Sequence, residues 1–273
     1  MKFYKFNFNM VLELNKKTYF LITGASRGIG RTMAIEIAKK LNAGSVVVLL
    51  ARNDNDLNVT KKSIEASVKS DIVVQTYAID LSKATCEDFK ELLSNSIRKA
   101  NATVTDFERA FIVHNAGTVG DVSKRAREVG DTTAWTDYYH TNIFSAIALN
   151  VEFFKTFSKT PKLVVNLSSK CGIEPFKSMS FYCSGKAARE MYFRVLAMEE
   201  LNDTLVLNYA PGAIDTAMTV QVQNETMNDE LRDAFAKQRS DKTMLTTEQT
   251  VAKFLQILQK QNFQSGDHVD YWD

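Results

Sequence analysis

Short apolar runs alternate with longer amphipathic stretches along nearly the whole of this chain, and this alternation limits the folds that it can adopt. The clearest run is 45–51, Ser-Val-Val-Val-Leu-Leu-Ala, which is typical of a strand buried on both faces. Strands are predicted at 19–23, 45–51, 72–78, 107–114, 163–167, 205–209 and 268–270. Helices are predicted at 28–41, 54–69, 86–99, 133–157, 180–201 and 247–259, and a polar section that ends near residue 242 receives no assignment.

Repeated alternation of strand and helix predicts a parallel sheet with helices on both faces. Right-handed crossovers make such a chain a single-domain, doubly wound α/β fold of the Rossmann type, here with a mostly parallel sheet of about seven strands. We predict that residues 1–15 are an N-terminal extension and that residues 16–273 form one domain, because no linker interrupts the pattern. Ligands of such sheets bind beyond the carboxyl ends of the strands.

Composition argues against several kinds of partner. The formal net charge is +2 over 273 residues, which gives no reason to expect nucleic acid or membrane binding. The three cysteines, Cys86, Cys171 and Cys183, form no Cys-x-x-Cys pair, and with only three histidines a metal site is not expected. Few cysteines and no signal-peptide pattern predict a reduced, cytoplasmic protein, in which Cys86 and Cys183 are buried.

Three glycines follow the first predicted strand. Gly24, Gly28 and Gly30 open the first helix with the spacing Gly-x-x-x-Gly-x-Gly. Glycine there allows a tight turn and lets the backbone approach a pyrophosphate, which then rests on the helix N-terminus. A glycine-rich turn with no ligand is the alternative, and the strand–turn–helix context favours the dinucleotide.

The end of the second predicted strand bears on the choice of dinucleotide. Arg52 lies where it could meet a 2′-phosphate, and Arg27 in the glycine loop could assist, because a guanidinium suits phosphate geometry. These residues favour NADP. Asp54 offers a competing NAD interpretation, since an acidic residue here can accept the ribose hydroxyl, and two solvated arginines are a further alternative.

The third predicted strand is followed by Asp80 and Leu81, where the adenine edge of a dinucleotide would lie. The alternative is that Asp80 or Ser82 caps the next helix.

The fourth predicted strand ends in Asn115, Ala116 and Gly117, small residues that would let the backbone pass close beneath the cofactor. Asn142 falls inside the predicted helix 133–157. Because asparagine is unfavourable in a helix interior, it indicates a local distortion or a polar role.

A tyrosine and a lysine four residues apart stand on the predicted helix 180–201. Tyr182 and Lys186 therefore share one face, and Ser169 follows the preceding strand. A phenol can protonate a carbonyl oxygen if a nearby ammonium stabilises the phenolate that remains, and a serine hydroxyl can hold the same oxygen. With the glycine loop, these residues predict an enzyme that adds a hydride and a proton to a C=O group.

Taken together, these motifs and Pro211-Gly212 resemble the short-chain dehydrogenase/reductase family over about residues 18–270. The resemblance implies a catalytic tetrad. Tyr182 would be the proton donor, and Ser169 would orient and polarise the carbonyl oxygen. Lys186 would lower the pKa of the tyrosine and bind the nicotinamide ribose, and Asn142 would hold a water in a proton relay.

The resemblance also implies NADP(H) as the cofactor and a set of residues that bind it. These residues are Gly24, Ser26, Arg27, Gly28, Ile29, Gly30, Arg52, Asn53, Asp80, Leu81, Asn115, Ala116, Gly117, Tyr182, Lys186, Pro211, Gly212, Ile214 and Thr216.

A narrower resemblance, carried by segments 166–189, 208–216 and 265–270, is to members of the family that reduce a pterin side chain. It implies NADPH-dependent reduction of 6-pyruvoyl-tetrahydropterin to tetrahydrobiopterin and of sepiapterin to dihydrobiopterin, in a homodimer. The implied substrate-binding residues are Ser169, Cys171, Tyr182, Met218 and Asp270.

Asp270 carries the pterin interpretation, because one carboxylate can accept two parallel N–H groups from the edge of a pterin. An exposed acid near a chain end is the alternative for this residue. Cys171 and Met218 offer soft apolar surfaces to a flat ring.

Two alternatives for the function stay open. One is a general NADPH-dependent carbonyl or diketone reductase on the same fold, from which Asp270 would distinguish a pterin reductase. The other is a non-catalytic NADP(H) sensor, against which the presence of both Tyr182 and Lys186 argues.

Overall fold

The computed structural model describes residues 12–273, which form one seven-stranded sheet. All neighbouring strands are parallel, in the order β3-β2-β1-β4-β5-β6-β7. The strands are β1 (Thr18–Thr23), β2 (Val46–Ala51), β3 (Val73–Ala78), β4 (Arg109–His114), β5 (Lys162–Leu167), β6 (Thr204–Ala210) and β7 (His268–Asp270). The predicted fold class is confirmed, and the order reverses between β1 and β4, where such sheets open a ligand crevice.

Nine α-helices within residues 12–273 connect or follow these strands. They are α1 (Gly28–Ala38), α2 (Asp54–Ser67), α3 (Cys86–Lys99), α4 (Thr132–Tyr139), α5 (Ser145–Thr156), α6 (Ser180–Glu199), α7 (Ala217–Glu225), α8 (Asp229–Ser240) and α9 (Thr247–Lys260). The polar section without a predicted assignment forms α7 and α8. No helix in this part of the chain combines the length and the apolar character that a bilayer crossing requires.

The predicted helix 133–157 changes its hydrogen-bond pattern in the middle. Residues His140–Phe144 form a π-helical turn between α4 and α5, and Asn142 lies inside it. Its Nδ2 donates to the carbonyl oxygen of Tyr138 at 2.8 Å, and its Oδ1 accepts from the N–H of Thr118 at 2.7 Å. The side chain competes with the backbone for a helix carbonyl, which confirms the local distortion predicted here.

Two apolar layers cover the sheet, one on each face. The central strands β1, β4, β5 and β6 are buried throughout. Alternate residues of β1 enter opposite layers, with Phe20 and Ile22 in one and Tyr19 and Leu21 in the other. Burial stabilises the fold by about 1.5–3 kcal/mol for each large apolar side chain, so these layers hold the strand ends in fixed register.

Residues 12–15, predicted as part of the extension, pack onto the domain. Leu12 is buried in the core, and its N–H donates to Gln261 Oε1 at 3.0 Å. Arg109 Nη1 donates to the carbonyl oxygen of Glu13 at 2.5 Å. The rest of the predicted extension, residues 1–11, lies outside the described residues, and the boundary at residue 15 stays a prediction.

The prediction that two cysteines are buried is wrong. Cys86 is exposed because it begins α3, in a turn that faces solvent. Cys183 is half-buried, and its thiol lies 3.9 Å from the carbonyl oxygen of Glu174.

Candidate active site

The motifs predicted from the sequence meet at one edge of the sheet. Because the strands are parallel, their carboxyl ends lie together. The loops after β1, β4, β5 and β6 carry Gly24, Asn115, Ser169 and Pro211, and β7 ends at Asp270. Candidate cofactor and substrate residues that are far apart in the sequence therefore share one crevice.

Asn115 closes the glycine loop from the neighbouring strand. Its Nδ2 donates to the carbonyl oxygens of Thr23 and Gly24 at 2.9 and 3.2 Å. Thr23 Oγ1 in turn accepts from the N–H groups of Asn115 and Ala116 at 3.1 and 3.0 Å. A Cβ at Gly30 would lie 2.2 Å from the Gly24 carbonyl oxygen, so only glycine fits there. The loop is held in shape by contacts within the protein.

The N-terminus of α1 offers the donors that a pyrophosphate requires. First-turn N–H groups have no intrahelical partner, and Arg27 at the N-cap makes no side-chain capping bond. Within Gly28–Ala38 the first turn holds no acidic residue. Gly28 has φ +55°, and a Cβ there would meet only Thr216 Cγ2, at 3.8 Å. This open, electropositive helix start fits the pyrophosphate of a dinucleotide.

The two arginines predicted to favour NADP are available for a phosphate. Arg27 and Arg52 are exposed, and neither forms an ion pair with any residue from 12 to 273. Asp54, the basis of the NAD alternative, is engaged elsewhere. Its carboxylate accepts from Asn58 Nδ2 at 3.0 Å and from Thr76 Oγ1 at 3.5 Å. The end of β2 therefore presents a cation rather than a free carboxylate.

Asn53 and Asp80 also serve local structure. Asn53 accepts a backbone N–H as the N-cap of α2. Asp80 Oδ1 accepts from the hydroxyl and the N–H of Ser82, and these bonds lower the pKa of its carboxyl. The alternative that Asp80 or Ser82 caps the next helix is wrong, because Thr85 caps α3. Leu81 packs on the apolar layer. The cofactor roles of Asn53, Asp80 and Leu81 stay predictions.

The loop after β6 brings the last predicted cofactor residues to the same edge. Gly212 has φ +81°, a left-handed conformation that glycine adopts without strain. Thr250 Oγ1 donates to the carbonyl oxygen of Pro211 at 2.9 Å and fixes the start of the turn. Ile214 is buried, and Thr216 is the N-cap of α7.

Tyr182 and Lys186 lie one turn apart on α6 and face the end of β5. Lys186 Nζ is 5.4 Å from the centre of the Tyr182 ring, and it donates to the carbonyl oxygen of Leu167. The Ser169 hydroxyl lies close enough to Tyr182 to lower the pKa of its phenol. Ser169 Oγ accepts from the N–H of Cys171 at 3.2 Å. Three members of the predicted tetrad are therefore brought together.

Burial sets the proton affinities of this pair. It raises the pKa of Tyr182, and the Ser169 hydroxyl and the Arg189 guanidinium oppose the rise. Burial, and then the charge of Arg189, lowers the pKa of Lys186 to about 7. The charge of Arg189 favours the phenolate form of Tyr182 and disfavours the protonated form of Lys186. The role of Lys186 in lowering the tyrosine pKa stays a prediction.

Arg189 is a site residue that the sequence reasoning did not single out. Its buried guanidinium donates to the carbonyl oxygens of His114 and Ala116 at 2.7 and 2.9 Å, and to Asn166 Oδ1 at 3.1 Å. These bonds join α6 to β4 and β5 and place a positive charge behind Tyr182. The spacing Tyr-x-x-x-Lys-x-x-Arg puts all three side chains on one helix face. This spacing is the sequence signal from which Arg189 could have been predicted.

Asn142, the fourth member of the predicted tetrad, is buried in the π-helical turn. A Cβ on Gly117 would lie 3.0 Å from Asn142 Oδ1, so the two segments are closely packed. Asn142 Nδ2 also lies 3.1 Å from Thr118 Oγ1. The side chain fixes the segment that follows β4, and its role in a proton relay stays a prediction.

Three of the predicted substrate residues adjoin one small apolar cluster. Cys171, Tyr182 and Met218 pack against its buried members, which are Val119, Val122, Met179 and Val222. This cluster gives the crevice an apolar wall beside the Tyr182 hydroxyl.

Asp270 lies at the far side of the crevice. Asp270 on β7 pairs with Ala210 on β6, and β6 pairs with β5. Two strand spacings, about 10 Å, therefore separate Asp270 from β5, the strand that leads to Ser169. Asp270 Oδ1 accepts from the N–H of Trp272 at 3.1 Å. Its Oδ2 has no hydrogen-bond partner within residues 12–273, which leaves it available to a ligand.

Several known proteins are similar to this chain in sequence or in architecture. The profile described as short chain dehydrogenase matches residues 18–227. Sepiapterin reductases of Rattus norvegicus and Xenopus tropicalis are each 38% identical to this chain, and each comparison covers 93% of the chain and 95% of the relative. A solved short-chain dehydrogenase/reductase of Saccharomyces cerevisiae superposes with a TM-score of 0.76 at 24% identity, covering 94% of this chain and 96% of that one. The last likeness bears on the fold alone.

Proposed function

We propose that this chain, which belongs to the short-chain dehydrogenase family of oxidoreductases, uses NADPH to reduce side-chain ketones of a pterin. The reactions are 6-pyruvoyl-tetrahydropterin to tetrahydrobiopterin and sepiapterin to dihydrobiopterin. One observation carries the proposal: the hydroxyls of Ser169 and Tyr182 lie at the carboxyl end of β5, and the Asp270 carboxylate lies two strands away at the same end of the sheet. The named relatives, sepiapterin reductases, support the choice of substrate.

The chemistry that a bound reduced nicotinamide supplies is transfer of a hydride to the carbonyl carbon. The protein must then deliver one proton to the carbonyl oxygen. Ser169 Oγ accepts the N–H of Cys171, which leaves its own proton free to hydrogen-bond the substrate oxygen. Tyr182 is protonated at neutral pH because burial raises its pKa, so it can act as the general acid.

The phenolate that remains on Tyr182 needs a positive charge nearby. Arg189 supplies one that is fixed by three hydrogen bonds, and Lys186 supplies a second whenever it is protonated. Because the pKa of Lys186 is about 7, it can also return a proton to Tyr182 between turnovers at physiological pH.

Asp270 is proposed to hold the pterin ring. The ring edge presents two parallel N–H groups, and a carboxylate can accept both. The distance of about 10 Å between β7 and β5 leaves room for the ring to bind Asp270 while its side chain reaches Tyr182. Cys171 and Met218 would line the ring from the apolar wall.

Arg52 is proposed to select NADPH. Arg52→Ala is expected to raise the KM for NADPH by about 10- to 100-fold, the effect of losing one charge-assisted phosphate contact, and to change the KM for NADH less than about twofold. Steady-state kinetics with both cofactors measures the difference. Arg98→Ala, which removes an exposed arginine from the end of α3, is the control. An equal rise for both cofactors would count against a 2′-phosphate contact.

A homodimer is proposed through α5 and α6. Met191, Val195 and Met198 follow the spacing i, i+4, i+7 on α6 and are 56%, 45% and 73% exposed. Phe144, at the end of the π-helical turn, and Val151, on α5, are exposed as well. A second copy of this chain would bury these side chains. We also propose a cytoplasmic location, since all three cysteines are free thiols.

The function is tested by the consumption of NADPH when sepiapterin is added to the purified protein. Rapid consumption with sepiapterin and much slower consumption with diacetyl, a small diketone, is the expected result. Equal rates would favour a general carbonyl reductase. Bound NADPH without consumption would favour a sensor.

A further inference from the structure

We infer that Glu190 is a positioning residue for pterin reduction. With Ser168 and His268 it forms a buried clasp that holds the tail carrying Asp270 against the segment carrying Ser169. The inference rests on the proposed function, because it assigns the clasp (Glu190, Ser168 and His268) to placement of the pterin anchor.

A single carboxylate oxygen joins the two segments. Glu190 is 2% exposed, and its Oε2 accepts from Ser168 Oγ and from His268 Nδ1, the latter at 2.9 Å. Ser168 directly precedes Ser169. His268 lies on β7, two residues before Asp270. The clasp therefore links the serine that meets the substrate oxygen to the carboxylate that meets the pterin ring.

A third segment packs against the same group. Gly172 ends the 3-10 turn that contains Cys171. A Cβ on Gly172 would lie 3.1 Å from Ser168 Oγ and 3.2 Å from Glu190 Oε2. The segments that carry Ser169, Cys171 and Asp270 thus all adjoin the clasp.

β7 needs this support because it is short and lies at the edge of the sheet. It has three residues and, among the strands of residues 12–273, pairs with β6 alone. A strand of this length contributes few ladder hydrogen bonds. Backbone bonds on either side of β7 hold the tail to β6, and the bond from Glu190 adds a side-chain contact from α6 two residues before Asp270.

The clasp is an unfavourable way to stabilise a fold. Glu190 Oε1 and His268 Nε2 are buried without a hydrogen-bond partner in the described part of the chain. Burying polar atoms in this way costs free energy that an apolar pair of similar size would not. A role in positioning the substrate explains why the two groups stand here.

The surrounding charges favour the protonated form of His268. Its hydrogen bond to Glu190 is the main cause that raises the pKa of His268. Burial opposes this rise, and the charges of Glu190, Asp270 and Asp273 add to it. Lys186, one turn before Glu190 on α6, faces the same carboxylate. The clasp is thus an ion pair below the raised pKa. It weakens to a neutral hydrogen bond as the pH rises through that value.

The test compares sepiapterin with diacetyl, which has no pterin ring. In His268→Leu, the ratio of kcat/KM for sepiapterin to that for diacetyl is expected to fall about tenfold, through KM rather than kcat. His268→Asn can replace the Nδ1–H donor and should recover most of the ratio. In the wild type, KM for sepiapterin should rise with pH through the pKa of His268, and in His268→Asn it should not.

Two further variants separate positioning from a general loss of stability. Added to Asp270→Asn, His268→Leu should raise KM for sepiapterin no further. Asp203→Asn breaks the 3.2 Å ion pair with buried Lys162, which lies at the amino end of β5, away from the crevice. This variant should leave the ratio of kcat/KM for the two substrates unchanged.

Three results would overturn the inference. They are an equal loss with both substrates in His268→Leu, full additivity with Asp270→Asn, and the same fall in ratio in Asp203→Asn. In each of these cases the wild type still reduces sepiapterin and the proposed function stands. A wild type that does not reduce sepiapterin removes the proposed function and the inference together.

Discussion

Replacing Tyr182 with phenylalanine is expected to lower kcat for sepiapterin reduction by about 10²- to 10⁴-fold, the usual contribution of a positioned general acid. Since burial raises the pKa of the phenol, it holds a proton at neutral pH. Phenylalanine keeps the ring and its packing but has no proton to give. The measurement is the rate of NADPH oxidation at saturating sepiapterin.

Tyr19→Phe is the matched control for this change. Tyr19 is fully buried, and its hydroxyl and Ser96 Oγ are hydrogen-bonded at 2.6 Å, but it lies near the amino end of β1, away from the crevice. Loss of the Tyr19 hydroxyl should lower the free energy of unfolding by about 1 kcal/mol and leave kcat unchanged. A Tyr182→Phe protein that binds NADPH normally and keeps the wild-type kcat would contradict the assigned proton donor.

Asp270→Asn is the second large expected effect. It should lower kcat/KM for sepiapterin by about 100-fold, because two hydrogen bonds to a charged group are lost or weakened, while kcat/KM for diacetyl changes less than about threefold. An amide keeps the size of the side chain but offers a donor where the pterin edge requires an acceptor. Steady-state kinetics with both substrates measures the contrast.

The control for Asp270→Asn lies in the same tail. Asp267 accepts from the N–H of Gln264 at 2.7 Å and closes a turn before β7. Asp267→Asn removes the same charge from the same segment and should preserve the preference for sepiapterin. If kcat/KM falls by the same factor for sepiapterin and for diacetyl in both variants, Asp270 does not anchor the ring.

The fold could be predicted because its signals are local. Apolar runs and amphipathic periods along the chain identified all seven strands. The observed order of the sheet is the one that the doubly wound fold uses. The predicted helix 54–69 extends two residues beyond the observed end at Ser67, and strand 107–114 begins two residues early. Such ends depend on capping and tertiary contacts that periodicity does not report.

The site was only partly predictable, because some of its contacts join segments far apart in the sequence. Tyr182 and Lys186 carry a recognisable spacing. Arg189 does not reveal its role until β4 and β5 supply the carbonyl and amide oxygens that bind it. Glu190 gains its meaning only when β7 brings His268 to within 2.9 Å.

The expected pKa of the tyrosine shows the same limit. A lysine one turn away predicts a lowered tyrosine pKa, if the lysine is charged. In the folded chain Lys186 is buried and Tyr182 is partly buried, and burial acts on each in the direction that opposes charge. The size of that effect depends on packing, and no spacing of residues along the sequence encodes it.

Hydride transfer from NADPH to the side-chain ketone is tested most directly with a deuterium label. Purified protein is given NADPH deuterated at the transferable position of the nicotinamide C4, with sepiapterin as the acceptor, and the pterin product is analysed by mass spectrometry and NMR. We expect one deuterium per product molecule, on the carbon that was the side-chain ketone, and almost none with Tyr182→Phe in the same time. Bound NADPH with an unreduced ketone, or deuterium on the pterin ring instead, would contradict this hydride transfer.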